Sequence, residues 1–183
     1  VLHTCEFLEK SENIRLEYVD VNADGTIDLK HLEQLLSNAS TKVLVSLMHI
    51  NNEIGTILPL KTVSLLCKTY NAYFHSDTVQ TIGHYALDLA EVEIDFIAAS
   101  AHKFHGPKGV GFAYFKKGSG ILPMFHGGDQ ERGARSSTEN VHSILGMQKA
   151  MEIAYTNLEN DKIHIIELKQ FFFDGLKNIS KNI

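Results

Sequence analysis

A carboxylate and a lysine, each placed after a short apolar segment, form the most reactive combination in this sequence. Asp77 follows the segment Ala72–His75, and Lys103 comes 26 residues after Asp77, beyond the segment Ile94–Ala98. A lysine amine can form a Schiff base with an aldehyde, and a buried carboxylate can keep a ring nitrogen protonated. Pyridoxal phosphate needs both groups. A surface lysine and a turn aspartate would give the same spacing, so the pair alone does not decide.

The elements around these residues predict an α/β fold, with a mostly parallel sheet and helices on both faces, because strand-like and helix-like segments alternate. Several strands are short and apolar enough for burial on both faces. Ligands of such sheets bind outside the carboxyl ends of the strands. The predicted strands are Ile14–Asp20, Val43–His49, Ala72–His75, Ile94–Ala98 and Val110–Phe115. The predicted helices are Val1–Lys10, Leu29–Leu36, Leu60–Thr69 and two within Val141–Lys181, separated near Asn157–Asp161.

The composition indicates an ordinary soluble domain, with 183 residues of which 44% are hydrophobic and 21% are charged. The 22 acidic residues outnumber the 17 basic ones, which disfavours nucleic acid or an anionic membrane as a partner. No apolar run approaches the roughly 20 residues needed to span a bilayer. The two cysteines make a poor disulfide framework, so a reducing, cytoplasmic setting is expected.

Three motifs for metals or nucleotides are incomplete. Asp20–Gly25 matches the first half of an EF-hand loop, but His31 stands where a bidentate glutamate is required. His102 and His105 lack the spacing of a helical metal-binding pair. Gly106–Gly111 lacks the Gly-Lys-Ser/Thr ending of a P-loop. We therefore read Asp24-Gly25 as a turn and expect no metal site.

Successive motifs along the chain resemble those of cysteine desulfurases, which are class V, fold-type I pyridoxal phosphate enzymes. The similarity covers nearly the whole chain, and its motifs occur in family order. They are Met48–Gly55, Phe74–Gln80, Ala101–Gly111, Gln130–Gly133 and Arg135–Asn140.

The resemblance implies roles around the cofactor ring for four residues. Lys103 would form the Schiff base and, once displaced by substrate, would move protons between substrate and cofactor. Asp77 would pair with the pyridine nitrogen. Gln80 would donate a hydrogen bond to the phenolic oxygen, and Asn52 would lie near that oxygen.

Three more residues are assigned to the cofactor phosphate by the same resemblance. Ser100 and His102 would bind it through hydroxyl and imidazole donors. Thr138 would reach the phosphate in the neighbouring subunit of a homodimer. The implied substrate is L-cysteine, which would be converted to L-alanine with the sulfur held as an enzyme persulfide. A sulfur-acceptor protein is the implied partner, for iron-sulfur cluster assembly or a related pathway.

The chain departs from the family at Asp129 and Ser137, where glycine is frequent, and at His105, where an aromatic residue is common. Neither cysteine aligns with the family's nucleophile, and Cys67 is expected to be a buried thiol in a helix. The nucleophilic cysteine and the arginine that holds the substrate carboxylate would lie downstream. Residues 1–183 are thus expected to be part of the large domain, without an N-terminal segment and the C-terminal small domain, and to be inactive alone.

Two alternatives share these motifs. A selenocysteine lyase or another class V lyase or aminotransferase would use the same cofactor residues. A non-catalytic relative would retain the fold without the chemistry, although Lys103, Asp77 and Gln80 argue against it.

Overall fold

Four short segments pair into one sheet in the computed structural model, which describes residues 1–179. The strands are β1 (Leu44–Met48), β2 (Tyr73–Asp77), β3 (Phe96–Ser100) and β4 (Gly111–Phe115), in the order β1-β2-β3-β4. β1 runs parallel to β2, and β2 runs parallel to β3. In this register Asp77 lies opposite Met48 on one side and Ala98 on the other, so the carboxyl ends of these strands share one edge.

In the described part of the chain, residues 1–179, four α-helices accompany the sheet, and two short 3₁₀ turns lie in the loops. The helices are α1 (Leu2–Glu12), α2 (Leu29–Ser37), α3 (Leu60–Thr69) and α4 (Val141–Ile179), and the 3₁₀ turns are Ala101–Phe104 and Gln130–Gly133. The Asp28 carboxylate begins α2 by accepting hydrogen bonds from the N–H groups of Lys30 and His31. Within residues 1–179, no helix is both long enough and apolar enough to cross a membrane.

The core lies on one face of the sheet, where α2 and α3 pack. Phe74 and Val63 are fully buried at its centre. Burial alternates along β2 and β3, because successive side chains of a strand point to opposite faces. The side chains of these strands are buried on one face of the sheet and half-buried on the other. This differs from the sequence prediction, in which both faces are buried. The sheet and helix residues of the core include Val45, Phe74, Ile97, Leu32, Leu36, Leu60, Val63 and Cys67.

The chain divides into two compact units. The first unit contains Val1–Thr81, Leu87–Ala99 and Phe112–Glu139, and therefore most of the sheet. The second unit contains Ile82–Ala86, Ser100–Gly111 and the segment from Asn140 onward, in which Val141–Ile179 form α4.

Two predictions of where helices and strands lie are wrong. Ile14–Asp20 forms no strand; only a single antiparallel bridge joins Val21 to Ile27 nearby. A strand needs a partner strand along its length, whereas in this segment the Asp20 carbonyl accepts from the Asp28 N–H at 2.8 Å and the Asp20 N–H donates to His31 Nδ1, which makes no ladder. The predicted break at Asn157–Asp161 is also absent, because α4 runs unbroken from Val141 to Ile179. Those five positions contain no proline or glycine, and four of them are exposed, so their polar groups remain hydrated while the helix continues. Residues 180–181 of the predicted second helix lie outside the described residues.

Candidate active site

The first part of the candidate site lies at the carboxyl end of β2. Asp77 is the last residue of the strand and is half-buried. Its Oδ1 accepts a hydrogen bond from the N–H of Val79 at 3.0 Å. Within residues 1–179, Oδ2 accepts no hydrogen bond, so this oxygen remains available for a cationic or N–H partner.

The turn after β2 is held by threonine side chains. Thr78 is fully buried, and both its N–H and its Oγ1 donate to the carbonyl oxygen of Ala98, at 3.1 and 2.9 Å. Thr81 is also fully buried, and its N–H donates to the carbonyl of Thr78 at 2.9 Å. Gln80 lies between them and is half-buried. The turn thus places Asp77 and Gln80 within four residues on a fixed backbone.

The loop after β1 carries Asn52. Its neighbour Asn51 builds the loop, since Asn51 Oδ1 accepts from the N–H groups of Glu53 and Ile54 at 2.9 and 3.1 Å. Gly55 completes the loop with a φ of 72°, a conformation that glycine adopts without strain. Asn52 is left exposed, with its amide donating to Glu53 Oε1 at 2.6 Å. The first asparagine is therefore structural, whereas the second is exposed to solvent and bonded to the exposed side chain of Glu53.

Lys103 lies on the 3₁₀ turn Ala101–Phe104 of the second unit. A 3₁₀ helix has three residues per turn, so positions 101 and 104 share a face. Ala101 and Phe104 are buried there, while His102 and Lys103 are exposed on the other side. The amine and the imidazole are thus both exposed on a turn that is anchored by its two apolar residues.

Close packing fixes the backbone of this turn. The Gly106 N–H donates to the carbonyl of Ala101 at 2.8 Å, and a Cβ at Gly106 would lie 2.9 Å from that same oxygen. A side chain at Gly83 would collide with Phe104. The Lys103 carbonyl lies 2.9 Å from Nε2 of His84. These contacts explain why glycine is needed at both positions and why Lys103 has a defined place.

Ser100 ends β3 and immediately precedes the 3₁₀ turn. Its hydroxyl makes no capping hydrogen bond to the turn, although serine commonly does so at such a position. The hydroxyl is therefore not used by the local backbone.

Thr138 is exposed and lies in the loop between β4 and α4, in the part of that loop that belongs to the first unit. Glu131 and Arg132 have left-handed backbone angles, and Ser137 has a φ of 155°, which non-glycine residues rarely adopt. Asp129 has an ordinary φ of −84°. Of the two departures from glycine, the structure accommodates Asp129 without strain and places Ser137 in a glycine-like conformation.

The seven predicted site residues fall into two groups. Asn52, Asp77, Gln80 and Thr138 belong to the first unit, and Ser100, His102 and Lys103 belong to the second. Within the first group, Asp77 and Gln80 share one turn, and Asn52 is on the loop after the neighbouring parallel strand. Within the second group, the three residues lie in the four consecutive positions 100 to 103. Thr138 lies on a separate loop.

Two polar pairs near Asp77 were missed by sequence reasoning. Ser46 Oγ and His75 Nδ1 are 2.8 Å apart on β1 and β2. Burial lowers the pKa of His75, and the charge of Asp77 partly opposes this. His49 Nδ1 and Thr81 Oγ1 are also 2.8 Å apart, and both residues are buried. Alternation along a strand places His75 and Asp77 on one face, which the sequence could have shown, but the contacts with Ser46 and between His49 and Thr81 depend on strand pairing.

The structure confirms that Cys67 is a buried thiol in a helix and that Asp24-Gly25 form a turn. Cys67 is 2% exposed in α3, and burial raises its pKa to about 12. Asp24 and Gly25 form a turn in which hydrogen bonds from Thr26 lower the pKa of Asp24. His31 Nδ1 lies 3.0 Å from Asp20 Oδ2.

Residues 1–179 contain no cluster of three or more histidine, cysteine, aspartate or glutamate side chains arranged to hold a metal.

Several known proteins are similar to this chain. The family model for class-V aminotransferases matches residues 1–182. The chain is 42% identical to the cysteine desulfurase IscS of Dictyoglomus turgidum over 183 residues, which is 100% of this chain and 45% of that protein. It is 47% identical to IscS of Clostridium botulinum over 165 residues, covering 89% of this chain and 41% of that protein.

A solved structure of a NifS-like protein has a TM-score of 0.92 and 43% identity, covering 98% of this chain and 49% of that one. The match confirms the predicted α/β fold with its mostly parallel sheet. The chain spans less than half the length of these relatives. Because the family model covers the chain almost from end to end, this protein belongs to the class-V aminotransferase family.

Proposed function

We propose that this chain forms the cofactor-binding part of a pyridoxal phosphate-dependent cysteine desulfurase. The observation that carries the proposal is the 3₁₀ turn that exposes Lys103 and His102 while Ala101 and Phe104 anchor it. Similar proteins named cysteine desulfurase support the choice of reaction. The full-length protein would remove sulfur from L-cysteine, leaving L-alanine and an enzyme persulfide.

The donor set fits this cofactor. An exposed amine can react with its aldehyde, and the half-buried carboxylate of Asp77 has an oxygen to spare for the ring nitrogen. Ser100 has a hydroxyl without a capping role, and His102 has an exposed imidazole, both of which can donate to a phosphate. When bound, the cofactor would withdraw electrons from the substrate carbon, which no protein side chain can do as well.

Lys103 would act twice in the reaction. It would hold the cofactor aldehyde in the resting enzyme and, after the substrate amine replaces it, would carry a proton at its Nζ. The fixed backbone of the turn supports this role, since proton transfer requires the amine to return to one place.

Asp77, Gln80 and Asn52 would bind the cofactor ring. Asp77 Oδ2 would accept from the protonated ring nitrogen, and the Gln80 amide would donate to the phenolic oxygen, with Asn52 on the same side. Ser100 and His102 would bind the phosphate. Thr138 would contact the phosphate of a second subunit, so that the working enzyme is a homodimer.

The sulfur chemistry would need residues outside this chain. A nucleophilic cysteine would attack the substrate sulfur and form an S–S bond as the C–S bond breaks, and an arginine would hold the substrate carboxylate. Cys67 is unsuited to that role, because burial raises the pKa of its thiol to about 12 and so disfavours the nucleophilic thiolate. Residues 1–183 would thus be one part of a large domain. The persulfide would pass to an acceptor protein in the cytoplasm, for iron-sulfur cluster assembly or a related pathway.

The test is alanine release from L-cysteine by the full-length protein and its Lys103→Ala variant. We expect the wild type to be active and to show the visible absorption band of lysine-bound cofactor, and the variant to lose both. Lys117→Ala, which changes an exposed lysine outside the proposed site, is the matched control and should keep both. An unchanged band in Lys103→Ala would contradict the assignment. Release of alanine from selenocysteine but not from cysteine would identify a selenocysteine lyase instead.

A further inference from the structure

His49 and Thr81 form a buried polar pair that the proposed chemistry does not use. His49 is 9% exposed and Thr81 is 0% exposed. Their side chains meet with Nδ1 2.8 Å from Oγ1. Both residues belong to the first unit, as do Asp77, Gln80 and Asn52. Burying a polar side chain is costly unless it is hydrogen-bonded, so each member of this pair depends on the other.

His49 connects three segments of the candidate site. Its N–H donates to the carbonyl of Asp77 at 3.0 Å, which extends the β1–β2 pairing by one step. Its carbonyl accepts from the N–H of Leu58 at 2.7 Å, and this closes the base of the loop that carries Asn52. Its imidazole reaches Thr81 at the far end of the turn. One residue thus bonds to the end of β2, to the turn and to the loop.

Thr81 holds the end of the turn opposite Asp77. Its N–H donates to the carbonyl of Thr78, which is itself fixed to Ala98 of β3. Without the imidazole, the buried hydroxyl of Thr81 would lose its hydrogen bond to His49, and its backbone bond to Thr78 would remain. Gln80 is the residue directly before Thr81, so a shift of Thr81 would move Gln80 as well.

We propose that the His49–Thr81 hydrogen bond positions Asp77, Gln80 and the Asn52 loop against the ring of bound pyridoxal phosphate. His49 and Thr81 are positioning residues, because they act through the groups that touch the cofactor. This inference rests on the proposed function. Its physical basis is that ligand groups must be held within a fraction of an ångström of their working geometry, which requires support from the residues behind them.

Four variants of the full-length protein separate positioning from simple stability. Thr81→Val removes the hydroxyl at nearly constant shape, and Thr81→Ser retains it. His49→Leu removes the imidazole, and His49→Asn restores a polar atom attached to Cγ, where Nδ1 stands in histidine. The matched control is Ser64→Ala, since Ser64 is also buried and its hydroxyl also makes one hydrogen bond, to the Glu93 carbonyl at 2.8 Å, away from the turn.

The measurements are the dissociation constant of pyridoxal phosphate from the apoprotein, the position and pH midpoint of its visible band, and the Tm. We expect Thr81→Val and His49→Leu to weaken cofactor binding roughly tenfold, the effect of about one buried hydrogen bond, and to shift the band or its midpoint. Thr81→Ser and His49→Asn should recover most of the affinity. Ser64→Ala should lower the Tm and leave the affinity and the band unchanged.

Wild-type affinity and an unshifted band in both Thr81→Val and His49→Leu would overturn the inference while leaving the proposed function intact. The inference also fails if Ser64→Ala, at an equal loss of Tm, weakens cofactor binding equally. A wild-type protein that binds no pyridoxal phosphate would overturn the proposed function and this inference together. If Thr81→Val or His49→Leu fails to fold, the Thr81→Ser and His49→Asn variants decide. These variants retain a hydrogen bond, so they should bind the cofactor with nearly wild-type affinity. A folded Thr81→Ser or His49→Asn protein with much weaker cofactor binding would contradict positioning.

Discussion

Asp77 Oδ1 accepts a hydrogen bond from the backbone N–H of Val79 at 3.0 Å, so one oxygen of the carboxylate serves the turn in which it stands. The other oxygen is left for the proposed ring nitrogen. The two oxygens therefore have separable roles, one in local structure and one in cofactor binding.

Replacing Asp77 by asparagine separates these roles. The amide oxygen of Asp77→Asn can still accept from Val79, so we expect little change in Tm. The negative charge is lost, so the ring nitrogen would no longer be held protonated. Alanine release by the full-length protein should fall roughly 100-fold or more, as expected when an electrostatic partner is removed. Asp77→Ala, which loses both roles, should lower activity and Tm together. Full activity in Asp77→Asn would contradict the ring-nitrogen assignment.

Two buried serines should respond oppositely to substitution by alanine. Ser76 is 0% exposed, and its Oγ has no hydrogen-bond partner within residues 1–179. Removing that hydroxyl in Ser76→Ala should leave the free energy of unfolding unchanged or raise it by about 1 kcal/mol. Ser64 donates to the Glu93 carbonyl, so Ser64→Ala leaves that acceptor unpaired and should cost about 1 to 2 kcal/mol. Urea unfolding measures both, and a larger loss in Ser76→Ala than in Ser64→Ala would be the contrary result.

The thiol of Cys67 should be inert in the folded protein. With a pKa raised to about 12 by burial, it is ionised to roughly one part in 10⁴ at pH 8. We expect an alkylating reagent to modify Cys5, which is only partly buried, well before Cys67. Mass spectrometry of peptides, with and without denaturant, reads out each site. Equal labelling rates for the two cysteines in the native protein would show that Cys67 is not enclosed.

Mild acid should weaken the fold through His49. Burial lowers its pKa below the ordinary 6.5, so the unfolded chain takes up a proton at a higher pH than the folded chain does. The stability contributed by the neutral imidazole is present above pH 6.5 and is lost as the pH falls through the folded pKa. Comparing urea unfolding at about pH 7.5 and about pH 5.5, we expect His49→Asn to lose less stability over this interval than the wild type. An identical loss in the two proteins would exclude His49 as the source.

Local sequence patterns predicted most of the secondary structure. The bounds Leu60–Thr69 agree with the predicted range of α3, and those of α2 agree to within one residue. Apolar residues at helical spacing mark the buried face, as with Leu32 and Leu36 in α2 and with Leu60, Val63 and Cys67 in α3. Four of the five predicted strands exist with shifted ends. Ile14–Asp20 fails because strand character is local, whereas a strand exists only where another segment pairs with it.

The sequence by itself determined which residues could do chemistry: a lysine, a carboxylate, amides and hydroxyls in an order that resembles one family. Residue types and their spacing are sufficient for that, since reactivity belongs to the side chain. Only the tertiary structure decided how these residues are supported. The parallel register brings Met48, Asp77 and Ala98 to one edge, and thereby lets His49 bond to Thr81, 32 residues away in the chain. A contact at that separation depends on the pairing of two strands, which no local pattern encodes.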